Sequence, residues 1–376
     1  MAADYRAEVI GSLLRPTYLK EARARHAEGA IGDAELKRVE DRAVDDAVRL
    51  QTRVGVSVIT DGEMRRYAYF GHFIDSVDGF DKFGGWAIPF RDEEGQELLF
   101  KRAVVVSRLK RRRHMCAEEF TYLRARTDRP AKATLISALN TTSYYDPDKS
   151  AGAYATRDAY LADTVDLLRG EVDELVRLGC TYIQMDAPPY TLLLDPATRE
   201  GFRRRGTDPE RLLDLGIEMD NAVIGRHPGV TFALHLCRGN NQSKFIGSGA
   251  YDPIAARIFN ATRFSRFLLE YDDARSGGFE PLRHVPDDRS VVLGLVTTKR
   301  AELERSAELE RRIREAAAIL PLERLALSPQ CGFASTEEGN LITPADQEAK
   351  LALVVETARK VWGQTGAPPR VYSWGP

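Results

Sequence analysis

The sequence predicts an α/β fold, a (β/α)8 TIM barrel with a long insertion after its second strand. Three observations carry that prediction. Short apolar, β-branched runs alternate with amphipathic helical stretches along the chain; there are eight such runs; and they end at or near polar residues. Alternation of strand and helix argues for a parallel sheet, and eight repeats argue for its closure into a barrel.

The eight runs are residues 7–12, 56–60, 133–138, 181–186, 231–237, 266–270, 291–296 and 325–330. The helices between them are well marked. Leu161, Val165, Leu168, Val172 and Leu175 recur at steps of four and three, and Gly179 follows as a terminator. Thr343-Pro344-Ala345-Asp346 combines a cap, a proline at the first helical position and an acid at the third. Leu351, Val354, Ala358 and Val361 then face inward. Asp33 opens a helix bearing Leu36, Val39 and Ala43. Residues 65–130 break the rhythm, because a connection of this length exceeds an ordinary βα loop. They hold Gly84-Gly85-Trp86 and an alternating run at 103–106. We read them as an insertion, partly β-hairpin, over the top of a single catalytic barrel spanning residues 1–376.

Composition narrows the class. A formal net charge of −2 gives no electrostatic footprint for nucleic acid. The one basic cluster, Lys110-Arg111-Arg112-Arg113, reads as a solvated hairpin or helix face. No apolar stretch approaches the ~20 residues that span a bilayer. The N-terminus, Met1-Ala-Ala-Asp-Tyr-Arg6, lacks the basic and apolar regions of a signal peptide. Four cysteines in 376 residues are not a disulfide framework, which points to the reducing cytoplasm.

In (β/α)8 barrels chemistry sits at the C-terminal ends of the strands. Reading those ends gives Ser12, Glu63, Asp186, His235 with Cys237, Glu270, Lys299 and Cys331. On a strand, side chains two apart share a face, so His235 and Cys237 point the same way, about 7 Å apart along the backbone. Adding Cys331 makes a nitrogen–sulfur set of the kind that zinc takes in tetrahedral geometry, with Glu270 as the fourth ligand. The rival reading makes Cys331 a small buried hydrophobe and His235 a hydrogen-bonded core histidine. Convergence of the set from strands five, six and eight favours Zn2+. Tyr67, Tyr69, Phe70, Phe73 and Trp86 either roof the pocket or pack within the insertion. Arg15, Arg238 and Asn240, just beyond strand ends, either bind an anionic substrate or make loop hydrogen bonds. Cys116 and Cys180 read as structural.

Ile10-Gly11-Ser12, Thr60-Asp61-Gly62-Glu63, Gln184-Met185-Asp186, His235-Leu236-Cys237-Arg238-Gly239-Asn240 and Ser328-Pro329-Gln330-Cys331-Gly332 together resemble the catalytic barrel of cobalamin-independent methionine synthases. The likeness spans essentially the whole chain. It is greatest to the short, single-barrel members, through Gly11-Ser12-Leu13-Leu14-Arg15-Pro16 and Leu269-Glu270-Tyr271-Asp272. The resemblance implies that His235, Cys237, Glu270 and Cys331 are zinc ligands and that Ser12, Glu63 and Asp186 hold the amino-acid part of homocysteine. Carboxylates suit an ammonium group.

Two departures stand out. Lys299 occupies the place of the family's acid/base histidine; lysine is a poor proton donor at neutral pH unless buried, but a good anchor for a carboxylate or sulfonate. The stretch after Cys331 reads Gly-Phe-Ala-Ser, without the basic residues of that pattern. The expected activity is transfer of a methyl group to a small thiol, homocysteine foremost, from a small donor or a methyl-carrier protein. The alternatives are alkylation of another thiol, as in epoxyalkane:coenzyme M transferase, and a non-catalytic zinc-binding protein. A metal-free porphyrin decarboxylase-like barrel would leave the thiols unexplained.

Overall fold

The structure, a computed structural model, describes residues 5–204 and 206–363. Residues 1–4, part of the N-terminus read above for signal character, lie outside the described residues. In chain order the strands are β1 (Val77–Asp81), β2 (Ala87–Arg91), β3 (Glu97–Lys101), β4 (Val104–Arg111), β5 (Ala133–Ile136), β6 (Tyr182–Asp186), β7 (Thr231–Leu236), β8 (Arg266–Glu270), β9 (Ser290–Val296) and β10 (Leu325–Pro329).

Six of the eight expected runs, β5 to β10, form one parallel sheet in the order β10-β9-β8-β7-β6-β5. Almost every residue in these strands is buried. Parallel strands covered on both faces read as continuous apolar runs for this reason.

The first two runs depart from the expectation. Residues 7–12 and 56–60 form no ladder. Ala7 makes a single parallel bridge to Leu327, and Ile59 makes one to Ala131. The Ser57 N–H donates to the Ala7 carbonyl at 2.7 Å. Side chains intercept the backbone groups a ladder would use. Ser57 Oγ accepts the Ala7 N–H at 3.1 Å. Gln51 holds Thr60 at both ends, accepting its N–H at 2.9 Å and donating to its carbonyl at 2.8 Å. Local side-chain bonds of this kind compete directly with sheet pairing.

Helices cover the outer face. Helix Arg157–Arg177 buries Leu161, Leu168, Val172 and Leu175, the stripe read from the sequence. Helix Pro344–Trp362 opens on a complete capping box between Thr343 and Asp346 and buries Leu351, Val354 and Ala358. Helix Asp33–Val54 buries Ala43, while Leu36 and Val39 are half-buried. A second, separate cluster joins Ile10, Val58, Tyr182, Ala233, Leu268, Val292 and Ala326. It takes one residue from each bridged segment and one from each of five strands. Next to it lies a buried charged layer. The Glu8 carboxylate meets Arg266 Nε at 2.7 Å, Lys132 Nζ at 3.3 Å and the Tyr182 hydroxyl at 2.8 Å. Burial opposes its ionisation, but the two cations win and hold it below the usual carboxylate range.

Within residues 65–130, β1 pairs with β4 and β2 with β3, both antiparallel. The basic cluster is partly engaged: Arg111 pairs with buried Glu171 at 3.0 Å and Arg112 with Asp78 at 3.2 Å. Among the described residues, no helix is long and apolar enough to cross a membrane.

Candidate metal and active site

The polar residues at one end of the sheet surround a cavity of about 70 Å3 whose wall includes Ser12, Glu63, Asp186, His235, Cys237 and Cys331. Sheet register brings these groups together. Asp186 of β6 is the direct partner of His235 on β7. A register shift between Ser328 and Pro329 ends β10 and redirects the chain into Gln330-Cys331. That turn crosses β9 at Gly294, where a Cβ would lie 2.7 Å from the Gln330 Cα and 2.8 Å from the Leu269 carbonyl. Only glycine admits so close an approach.

One ligand atom from each of His235, Cys237 and Cys331 lies within 4.8 Å of the other two, and all three residues are buried. The His235 Nδ1 is 2.8 Å from the Asp186 carboxylate, which leaves Nε2 for a ligand. Nε2 lies 3.4 Å from the Gln330 carbonyl and on the side of Cys331. The donor set of one imidazole and two thiols therefore fits a soft or borderline divalent ion, with the ring oriented by a carboxylate behind it. Protonation follows the same geometry. Burial alone would lower the His235 pKa, but the bonds to Asp186 and Cys331 push it up to about 10. The Cys237 thiol, donating to Cys331 and desolvated, is raised well above its ordinary value. Cys331, receiving that bond and facing His235, is lowered well below it. The cluster is poised to give up a thiol proton at Cys331.

Glu270, expected as the fourth ligand, stands apart from this group. Its Oε2 accepts the Arg238 N–H at 2.6 Å, and its Oε1 faces Lys299 Nζ and Arg275 Nη2, both at 3.4 Å. It is still near enough to Cys237 to help raise that thiol's pKa.

Besides Glu270, three expected site residues do not reach the cavity wall. Lys299 is buried between Glu270 and Asp272, each 3.4 Å from its Nζ. Burial would lower its pKa, but the two carboxylates raise it, which favours an ammonium held between them. Arg15 donates to the main-chain carbonyls of Leu13, Ala334 and Arg66. Arg238 donates to the carbonyls of Gly249 and Glu270 and stacks on Tyr251, 4.3 Å from the ring centroid. Both arginines fasten strand-end loops.

Glu63 and Ser12 do line the cavity. Glu63 sits in the left-handed region at φ 57°, fixed by its N–H bond to Asp61 Oδ1 at 2.9 Å. Its Oε1 accepts from Thr134 Oγ1 at 3.0 Å, and its Oε2 is buried without a hydrogen-bond partner. Burial pushes its carboxyl up to about 7; Arg66 opposes the rise and Asp186 adds to it. A Cβ at Gly11 would lie 2.7 Å from Glu63 Oε1, so that glycine makes room for the carboxylate. Ser12 packs against Gly332, and its carbonyl accepts the Phe333 N–H at 2.8 Å.

Of the aromatic candidates, Tyr69 and Phe70 line this cavity, while Trp86 lines a neighbouring one. Several polar wall residues escaped the sequence reading, Asn140, Arg102, Asn241 and Thr336 among them. Asn140, bonded to the Tyr69 hydroxyl at 3.1 Å, follows the third run and was legible as a strand-end residue. Arg102 comes from the insertion, where no periodicity pointed to it.

Residues 6–359 match the model of the cobalamin-independent synthase catalytic domain. The Bacillus subtilis (strain 168) protein YxjH is 35% identical over 363 residues, covering 96% of this chain and 95% of its own. The methionine synthase of Pyrococcus abyssi is 24% identical over 325 residues, covering 86% and 85%. A Listeria monocytogenes structure assigned as a vitamin B12-independent methionine synthase superposes with a TM-score of 0.73 at 27% identity, covering 97% of this chain and 100% of that one. The chain belongs to the cobalamin-independent methionine synthase catalytic-domain family.

Proposed function

We propose that the chain is a zinc-dependent thiol methyltransferase that converts homocysteine to methionine. The observation that carries this reading is the His235–Cys237–Cys331 group, with Asp186 on the far ring nitrogen, in one cavity wall with Glu63 and Ser12. His235, Cys237 and Cys331 would hold the ion, and Glu270 at the end of β8 is the carboxylate nearest to completing the set. Zinc, when bound, supplies a substrate sulfur that is deprotonated at neutral pH and still nucleophilic.

The protein's own groups do the rest. The unpartnered Glu63 oxygen and the Asp186 carboxylate offer acceptors to the substrate ammonium. Phe70, Ile88, Phe90 and Phe100 make the opposite wall apolar and exclude water from the displacement. The cavity holds thiol and donor in line. The new carbon–sulfur bond forms as the donor's methyl bond breaks, and that bond's electron pair leaves with the donor. The donor is a small methylated compound, such as a sulfonium, or a methyl-carrier protein. Residues 65–130 serve as the roof, residues 7–12 and 56–60 complete an eight-part barrel, and the protein acts in the cytoplasm. Coenzyme M alkylation loses the anchor the sequence offered it, since Lys299 is occupied by two carboxylates.

The test is zinc K-edge absorption of the metal-loaded protein with and without homocysteine. A rise from two sulfur ligands to three supports the reading. An unchanged count makes homocysteine the wrong thiol.

A further inference from the structure

A second cavity, about 310 Å3, adjoins the first and shares with it Ile88, Arg102, Pro189, Leu192 and Ile246. Its remaining wall is mixed: Trp86, Leu139 and Leu212 are apolar, while Arg91, Asp195 and Arg204 are charged. Arg102 sits at the junction. Its main chain is pinned on both sides, the N–H donating to the Trp86 carbonyl at 3.1 Å and the carbonyl accepting from Gly85 at 2.9 Å.

The partners of its guanidinium are all neutral. Nη2 donates to Asn140 Oδ1 at 3.4 Å, Nη1 to Ser143 Oγ, and the group lies 5.5 Å from the Tyr144 ring centroid. Among the described residues, no carboxylate lies within ion-pair distance of it. Nearby arginines differ: Arg66 is paired with Glu119, and Arg275 with Asp273. A guanidinium has five N–H donors in a planar fork, so the Asn140 and Ser143 bonds leave others for a ligand. Among the described residues, Arg102 is also the only arginine or lysine on the wall of the first cavity. A half-buried cation that is positioned by neutral groups and faces a cavity lacks its counter-charge. A planar carboxylate matches the fork.

We propose that Arg102 is the anion-recognition residue of the donor subsite: the larger cavity takes the apolar body of the alkyl donor, and the Arg102 guanidinium takes a carboxylate carried on it. The assignment to the donor rests on the methyl-transfer reading above. The wall of the second cavity does not include Glu63, Cys237 or Cys331. Selection among donors then lies in the insertion, while the thiol chemistry lies in the sheet.

The test uses 4-phenylbutyrate and its uncharged amide, titrated by calorimetry into the zinc-loaded full chain. The carboxylate should bind at least about tenfold tighter than the amide. Arg102→Gln should bring the carboxylate to the level of the amide and Arg102→Lys should restore part of the difference, with melting temperature and zinc content unchanged. Equal binding of the two probes, no binding of either at millimolar concentration, or full discrimination in Arg102→Gln overturns the proposal. Displacement of the bound carboxylate by homocysteine also overturns it, by giving Arg102 to the thiol. The K-edge experiment reads the sulfur count alone, so failure of the homocysteine reading remains distinguishable from failure here.

Discussion

The Asp186 carboxylate and the His235 imidazole are joined at 2.8 Å because they are register partners on adjacent parallel strands. Gln184 Nε2, on the same strand face, donates to the same Asp186 oxygen at 2.8 Å. The sequence reading gave Asp186 catalytic and substrate-binding roles; the geometry also makes it the group that sets the ring's tautomer and aim. Asp186→Asn should lower metal affinity roughly 10–100-fold with little loss of fold, as removal of such supporting groups does. Competition with a chromogenic chelator measures it. Unchanged affinity would remove Asp186 from the metal site.

Glu63 gives a pH prediction. Its carboxyl is raised to about 7 from an ordinary 4.5, so the folded state binds its proton more tightly than the unfolded state. The stability from the protonated form is complete below the unfolded value and is lost as pH rises through about 7. Glu63→Gln should remove this loss, gaining up to about 3 kcal/mol over wild type at pH 8 and little at pH 4. Denaturant unfolding across that range reads it. The same variant should weaken homocysteine binding, since the ammonium loses an anionic acceptor.

Lys299 is a structural cation. Lys299→Met leaves Glu270 and Asp272 buried without their shared partner, and should destabilise the fold by about 3–5 kcal/mol. A proton-donor role would instead cost turnover and leave stability intact. Equilibrium unfolding alongside a turnover assay separates the two.

The four cysteines differ in environment. After chelation of the metal, a neutral alkylating reagent should modify Cys331 first, because its thiol is lowered and it lines the cavity. Cys116 and Cys180 are buried with raised pKa values and should react only on unfolding. Peptide mapping by mass spectrometry gives the order, and early labelling of Cys116 or Cys180 would contradict it.

Gly332 follows Cys331 and lies against Ser12 with no room for a Cβ. Gly332→Ala should cost about 1–3 kcal/mol and loosen the Cys331 loop. Removing the hydroxyl as well, in the Gly332→Ala/Ser12→Ala double variant, should recover part of that loss.

Much of this was legible in the sequence, for identifiable reasons. The six covered strands and the capped helix at Thr343 announce themselves because burial and capping leave local signatures. His235-Leu236-Cys237 was legible because strand alternation alone puts two ligands on one face. The failures are all long-range. Gln51 is nine residues from Thr60 and silences a ladder by capturing both of its backbone groups. Arg15 and Arg238 are chemically indistinguishable from substrate arginines until the carbonyls around them are placed. Lys299 looks reactive until Asp272 and Glu270 close on it. Arg102 belongs to an insertion whose path over the cavity no periodicity encodes.

The single bridges at Ala7 and Ile59 make the arc of backbone uneven in its cooperativity. Amides in β6 to β9 exchange with solvent only when a continuous ladder opens, whereas segments held by one bridge can open alone. Ser12 and Glu63 follow the two singly bridged segments, whereas His235 and Cys237 stand at the end of β7 inside the continuous ladder, so amide exchange should be faster around the first pair than around the second.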